Sequence, residues 1–485
     1  MAKISNKIHS VKYNFVMNFI LTASNFIFPL ITFPYVTRIL QAANYGKVNF
    51  AASVANYFMM VASLGIPTYG IRACAQVRDD KEELSKTFQE LLLINTIVTA
   101  LVVVSYIVCI FTIPRFAQDK ILFLINGINI ALNMLGVNWL YQGLEQYDYI
   151  TIRSIAFKAI ALVLMFALVH GAEDYILYAA ITVFAAVGSN IFNIVRARRI
   201  VNFCPVGSLR SLDLRRHLKP IFILFAQSVT ISIYTNLDTV MLGFMKNDTA
   251  VGLYNVAIKF KGLLVSLVAS LGNVLLPRMS YFVKKEMKEK FIEYMLLALN
   301  FACLLAIPIC IYFFAYSKEI ILLFAGSGYL GAIVAMQYTT LAVFPNGISG
   351  VLGTQVLTSL SKEKYVLYSV IIGAVSDFIL NIVLIPKWDA AGAAFATMIA
   401  EYLVMLTQII FTRNLLKGIV SKLGFFKYLG LGIVAYLPCY FINKFFVDYL
   451  FLKLLVTCII YFGIYLLLLS ATRDQIVLRV IRRKH

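Results

Sequence analysis

The sequence predicts an all-α integral membrane protein of about fourteen transmembrane helices, and three observations predict it. Hydrophobic residues make up 61% of the 485 positions and charged residues 14%, at a mean hydropathy of +0.84. Soluble domains hold roughly 45–50% and about 25%, and a soluble core could not hide so much apolar surface from water. Apolar runs of bilayer length recur from end to end of the chain. Lysine and arginine concentrate on every second connection between those runs.

A bilayer core takes about 20 mostly apolar residues per helix. Span 1 (14–37) follows the basic flank Lys3, Lys7 and Lys12 and closes at Arg38. The run Phe15–Ile39 is too long for a signal-peptide core and no small-residue cleavage site follows, so this span is expected to be retained. Span 2 (46–69) opens at Gly46 and ends with Leu64-Gly65 ahead of Arg72; span 3 (88–113) stops at Pro114. Spans 4 (121–142) and 5 (150–169) are the least apolar, with Asn126, Asn129, Asn133 and Asn138 diluting the first and Arg153 and Lys158 entering the second. Span 6 (175–195) runs into the basic loop 196–219. Span 7 (221–244) carries Asp238, and span 8 (252–276) carries Lys259 and Lys261. Span 9 (292–316) follows the charged stretch 284–290. Span 10 (332–357) is interrupted by Pro345, Gly347, Gly350 and Gly353, which suit close helix packing or a hinge. Spans 11 (366–386) and 12 (392–412) carry Asp377 and Glu401, and spans 13 (428–444) and 14 (451–471) precede a basic tail.

An even number of spans puts both termini on one side. With that side inside, the inner segments hold 32 of the 43 Lys and Arg residues, the outer segments 9, and span 8 the other two. The positive-inside rule then places both termini in the cytoplasm. The same asymmetry accounts for the net charge of +20 without nucleic acid, and it sets the inner loops against anionic lipid headgroups. The longest outer connection, Ser317–Gly331, is short and partly apolar. A membrane glycan polymerase, which needs a sizeable outer catalytic loop, is therefore disfavoured.

No P-loop, GxSxG, HExxH or pair of outer carboxylates occurs, so neither ATP-driven transport within the chain nor hydrolysis is expected. The seven cysteines (Cys74, Cys109, Cys204, Cys303, Cys310, Cys439 and Cys458) form no CxxC pair and read as small packing residues. The histidines His9, His170, His217 and His485 show no ligand spacing. The expectation is a protein that is not an enzyme and holds no cofactor.

Two stretches repeat a pattern. Tyr45-Gly46-Lys47-Val48-Asn49-Phe50-Ala51 opens span 2, and Val251-Gly252-Leu253-Tyr254-Asn255-Val256-Ala257 opens span 8. Leu64-Gly65 then Arg72 matches Leu271-Gly272 then Arg278. The repeat divides the chain into a six-helix lobe (1–218), a second six-helix lobe (219–414) and two added helices with a basic tail (415–485). Six is even, so the lobes insert in parallel, with a substrate path expected between them and alternating access by rocking.

Ionisable groups inside spans are costly and are read as functional candidates. Asp238 and Lys259 fall at similar depth. They could form an ion pair that only neutralises cost, or leave a lysine facing a wet cavity to bind an anionic head group. Asp377 and Glu401 are depth-matched near the midplane, with Asn381 one turn from the first and Thr397 one turn before the second. Clustered oxygens there suggest a cation or proton site; equally, the carboxylates could partner Lys259 and Lys261. Arg38, Arg72, Arg153 and Lys158 could snorkel to headgroups or, gathered around a cleft, line a diphosphate site.

The run Pro29-Leu30-Ile31-Thr32-Phe33-Pro34-Tyr35-Val36-Thr37-Arg38-Ile39-Leu40, then Tyr45-Gly46, resembles the opening of Wzx-type polysaccharide repeat-unit flippases. Leu64-Gly65-Ile66-Pro67-Thr68-Tyr69-Gly70-Ile71-Arg72, Gln142-Gly143-Leu144-Glu145 and the run Tyr234 to Gly243 continue the similarity. So do Leu276-Pro277-Arg278 and Leu380 to Pro386 followed by Ala391-Gly392-Ala393-Ala394, so that it covers about residues 10–415. The chain departs at Ala73-Cys74, where an acidic residue usually follows the arginine, and at Gln41-Ala42-Ala43-Asn44, in place of a Gly-Pro-rich turn.

The resemblance implies the multidrug/oligosaccharidyl-lipid/polysaccharide exporter fold, MATE-like, with two lobes around a cleft. It implies an undecaprenyl-diphosphate-linked oligosaccharide as substrate, moved across the bacterial plasma membrane for capsule, O-antigen or exopolysaccharide assembly. Membrane lipids and the polymerase and assembly proteins of that pathway are the implied partners. Related lipid flippases carry sodium on helices 7, 11 and 12, which points to Asp238, Asp377, Asn381 and Thr397 here. The rivals are a cation-coupled drug antiporter of the same fold, which would have an acidic lumen, and a scaffold indifferent to its intramembrane charges.

Overall fold

The computed structural model describes residues 11–203, 212–270, 272–419, 422–442, 449–474 and 476. Lys3, Lys7, His9, Cys204, Leu271, part of the basic loop and most of the basic tail lie outside them. The described residues are helical with no strand. In chain order the helices are α1 (Val11–Ser63), α2 (Ile66–Gln76), α3 (Lys81–Thr112), α4 (Pro114–Ala117), α5 (Lys120–Asn133), α6 (Asn138–Gly143), α7 (Tyr147–Leu168), α8 (Tyr175–Val187), α9 (Asn190–Ala197) and α10 (Arg215–Met245). They continue with α11 (Asp248–Ala269), α12 (Gly272–Lys284), α13 (Lys288–Ala315), α14 (Ser317–Phe324), α15 (Ile333–Leu341), α16 (Val343–Gly350), α17 (Glu363–Leu416), α18 (Phe425–Ile442) and α19 (Leu450–Ala471).

Ten helices among the described residues are long and apolar enough to cross a bilayer, where the sequence suggested fourteen. Most of the difference has physical causes. Val16–Gln76 and Glu363–Leu416 each run through two expected spans. Both contain a backbone break, at Gln41 (φ 60, ψ 173) and Asp389 (φ 48, ψ −129). Positive φ is uncommon for residues with a side chain, so each break marks where one helix ends and the next begins. The Asp389 break carries an ion pair to Lys246 at 2.8 Å. Arg215–Met245, which carries the expected span 221–244, is not among the ten. Nor is the stretch 333–357, which Pro345 and its glycines divide into α15, α16 and a π-helical turn, Val351–Leu357.

The chain forms two compact units, Met1–Phe244 and Met245–His485. By its contacts α10 groups with the first unit, whereas the sequence repeat counts it as the opening helix of the second lobe. Side chains that face outward are apolar, among them Leu101, Val104, Val163 and Leu467, as lipid requires. Helix starts are capped where they meet water: Asp80 accepts from the Glu82 and Glu83 amides at 2.9 and 3.2 Å, and Asn247 from the Ala250 amide at 2.9 Å. In the turn before α8, the Asp174 carboxylate accepts the His170 and Gly171 amides, each at 2.8 Å, and these bonds hold it below the usual carboxylate range.

Glycines of the quoted motifs set the packing of the first unit. Gly70 lies against the Trp139 ring and Gly143 against the Ile71 carbonyl and Cys74, so α2 and α6 lie backbone to backbone. Gly243 presses on Phe50, which sits in an aromatic cluster with Phe116, Phe123 and Phe244 at centroid distances of 6.2, 5.9 and 5.4 Å. A Cβ at Gly243 would collide with a ring that is itself fully enclosed. We expect Gly243→Ala to cost about 1–3 kcal/mol. Thermal unfolding of the purified protein checks this; an unshifted midpoint would mean Phe50 can turn away.

Candidate functional site

Helices α11, α16 and α17 of the second unit assemble a polar cluster inside the apolar bundle. Lys261 on α11 donates to Glu401 Oε1 on α17 at 2.7 Å, with Glu401 only 2% exposed. Asn346 on α16 donates its amide to both Glu401 oxygens, each at 3.1 Å. Both carboxylate oxygens are thus engaged, which a buried charge needs. One turn before Glu401, the Thr397 hydroxyl lies 3.0 Å from the Tyr254 hydroxyl of α11 and 3.0 Å from the Ala393 carbonyl. Tyr254 and Lys261 are two turns apart on α11 and so meet α17 with one face.

On the first half of α17, Asp377 and Asn381 are buried one turn apart. Asp238 is buried on α10, in the first unit. Of the two readings left open for Glu401, the structure shows the ion-pair partnership, with Lys261. Lys259 makes no ion pair among the described residues. Lys259 is exposed even though it lies within α11 and protein crowds its surroundings. Its side chain is not enclosed between helices.

The remaining candidate cations divide by their partners. Arg72 is exposed and lies over the Tyr69 ring at 5.4 Å, with no carboxylate among the described residues. Arg153 donates to Asn138 at 3.2 Å and stands over Tyr149 at 5.7 Å, while its Nε and Nη1 are buried without an acceptor. Lys158 is held by the neutral oxygens of Ser24 and Asn25 on α1. Arg38 is exposed on α1. By contrast, cations at helix ends are matched with acids: Arg78 with Glu145 at 2.8 Å, Lys47 with Asp119 at 3.2 Å and Lys453 with Glu319 at 2.8 Å.

A family model described as "Polysaccharide biosynthesis protein" matches residues 11–283. The chain belongs to that family. The resemblance read from the motifs is thereby confirmed. A second model, MatE, matches residues 224–383. An Escherichia coli (strain K12) protein named "Putative O-antigen transporter" is 23% identical over 415 residues, 84% of this chain and 98% of that protein. Among solved structures, the lipid II flippase MurJ in an inward closed conformation superposes with a TM-score of 0.73 at 18% identity, over 95% of this chain and all of that one. An inward-facing multidrug resistance MATE family transporter reaches 0.61 at 11% identity, over 81% and 96%. The fold expected from sequence, a MATE-like helical membrane protein, is the fold found.

Two features of this family member went unseen in the sequence. Asn346 stands between the noted Pro345 and Gly347, and only its position opposite Glu401 reveals it. The second is a network at the start of α10. Glu90 on α3 is fully buried and accepts from Arg216 Nη2 at 2.6 Å, Arg216 Nε at 2.9 Å and the Asp213 amide at 2.8 Å, with His217 Nε2 at 2.7 Å. His217 Nδ1 faces the Tyr69 hydroxyl at 2.8 Å, and Arg216 also reaches Glu83 at 2.7 Å.

Proposed function

We propose that this chain is a flippase that moves undecaprenyl-diphosphate-linked oligosaccharide repeat units across the bacterial plasma membrane, for capsule, O-antigen or exopolysaccharide synthesis. Both termini are cytoplasmic in this reading, and the chain works by transport, not as an enzyme. The observation that carries it is Lys259. An unpaired cation inside a membrane helix is costly and persists where it meets water or an anion. A diphosphate supplies that anion, and charge-assisted hydrogen bonds give it affinity. Lys261 adds positive charge when released from Glu401, and Arg38, Arg72, Arg153 and Lys158 of the first unit are the further candidates for diphosphate binding. The prenyl tail stays in lipid. The name of the Escherichia coli relative supports the substrate class, as does the fold shared with MurJ.

Asp377, Asn381 and Thr397 offer oxygen atoms only, and all three are buried on α17. That donor set suits a hard monovalent cation such as sodium; the family resemblance also names Asp238, on α10 of the first unit, as a coupling candidate. Glu401 is the proton-accepting alternative. A coupling ion would supply directional bias. The lobes 1–218 and 219–414 with the added helices 415–485 remain the proposed unit of motion.

The test uses proteoliposomes loaded with lipid-linked repeat unit. Lys259→Gln should slow translocation by about tenfold or more, while melting temperature stays within a degree or two of wild type because the side chain has no ion-pair partner among the described residues. Undiminished flipping removes Lys259 from the mechanism. A drug antiporter would show unchanged surface glycan in the deletion strain.

A further inference from the structure

The second unit holds a cavity of about 430 Å³ where α18 begins and α19 ends beside α13. Its frame is fixed by hydrogen bonds. Asn300 on α13 accepts the Gly424 amide at 2.7 Å and donates to the Lys422 carbonyl at 3.4 Å. This clamps the turn before α18. Asp474, just past α19, accepts from Lys427 at 2.6 Å, from the Tyr428 hydroxyl at 3.2 Å and from the Ile476 amide at 3.0 Å. This ties α19 to α18.

The charge of the lining does not balance. Asp474 is used up by Lys427. Lys422 and Arg473, both exposed at the cavity, make no ion pair among the described residues, and against them stands only the exposed Glu293. The chain beyond Ile476 is itself basic, with Arg479, Arg482, Arg483 and Lys484, and so is unsuited to neutralise the cavity. At the start of α18, Phe426, next to Lys427, is 83% exposed. From it an exposed apolar stripe, Phe426, Ile433, Leu437 and Phe441, runs along one face of α18. A basic cavity large enough for a phospholipid headgroup therefore opens at the end of a face suited to acyl chains.

We propose that this cavity binds the headgroup of an anionic glycerophospholipid. The phosphate sits between Lys422 and Arg473, and one acyl chain lies along the α18 stripe. The lipid pins the two added helices to α13 and is a bound component of the protein rather than its cargo.

Native mass spectrometry of the full chain, titrated with phosphatidylglycerol or phosphatidylcholine, tests this. The variant Lys422→Gln/Arg473→Asn keeps the frame; asparagine is chosen because residue 473 has φ 48 and asparagine tolerates that region. We expect the tightest phosphatidylglycerol to bind on the order of tenfold to thirtyfold more weakly in the double variant. Phosphatidylcholine should bind the wild type no better than that variant. A control, Lys284→Gln/Lys285→Gln, should bind phosphatidylglycerol as the wild type does. Unchanged binding in the Lys422/Arg473 variant overturns the proposal. An equal loss in the control overturns it too, since attraction would then be diffuse. Inorganic phosphate displacing the lipid at equal concentration would reassign the cavity to free anions.

Discussion

Replacing Glu90 with alanine should destabilise the protein more than any other single change in the first unit, by about 3–5 kcal/mol. The carboxylate is completely enclosed and serves as acceptor for a guanidinium, an imidazole and a backbone amide. Without it, His217, only 3% exposed, loses its acceptor on Nε2, and the Asp213 amide loses its own. Arg216 keeps Glu83, which holds the effect toward the lower end of that range. Glu90→Gln preserves the shape and one acceptor oxygen and should cost less, about 1–3 kcal/mol. The geometry is satisfied with the imidazole proton on Nε2, donated to Glu90, and with Tyr69 donating to Nδ1. Tyr69→Phe therefore removes one hydrogen bond at about 1 kcal/mol. Melting curves of the three variants in one detergent should rank them in that order. If Glu90→Ala melts with the wild type, the network does not anchor α10 to α3.

The sequence made the fold class plain because lipid imposes one pattern everywhere: a run of apolar residues long enough to cross, then a charged or Gly/Pro-marked break. Hydropathy could place Glu401 and Lys261 at workable depths, since depth follows from counting residues along a helix. It could not pair them, because they are 140 residues apart and the pairing depends on which faces of α11 and α17 meet. The Glu90–Arg216 contact, 126 residues apart, was invisible for the same reason. Arg216 read as one more charge in a basic loop. The motif glycines were legible as motifs but not as packing: nothing in Gly70 or Gly243 announces Trp139 or Phe50. The departure at Ala73-Cys74 did carry physical meaning. With no acid following it, Arg72 rests on the Tyr69 ring and stays without a carboxylate among the described residues.

The Lys261–Glu401 pair separates a structural role from a transport role in one experiment. Either charge alone in this setting is nearly buried, at 13% and 2% exposure, so Lys261→Met or Glu401→Leu should each cost about 3–5 kcal/mol. Removing both leaves no uncompensated charge. The double variant should therefore be more stable than the sum of the singles implies, by a coupling of about 1–3 kcal/mol, with Asn346 deprived of its acceptor accounting for part of the residual loss. A double variant whose loss equals that sum would show that the contact carries no net energy. The transport assay then divides the readings. A pair that only neutralises cost predicts a double variant that flips repeat units at the wild-type rate. A pair that opens during the cycle, freeing Lys261 for the diphosphate and Glu401 for a cation, predicts a stable protein slowed by about tenfold or more. We expect the second. A buried pair is weak evidence for stability, because apolar residues of similar size do as well or better, and a switchable site gives this pair a role that apolar residues could not fill.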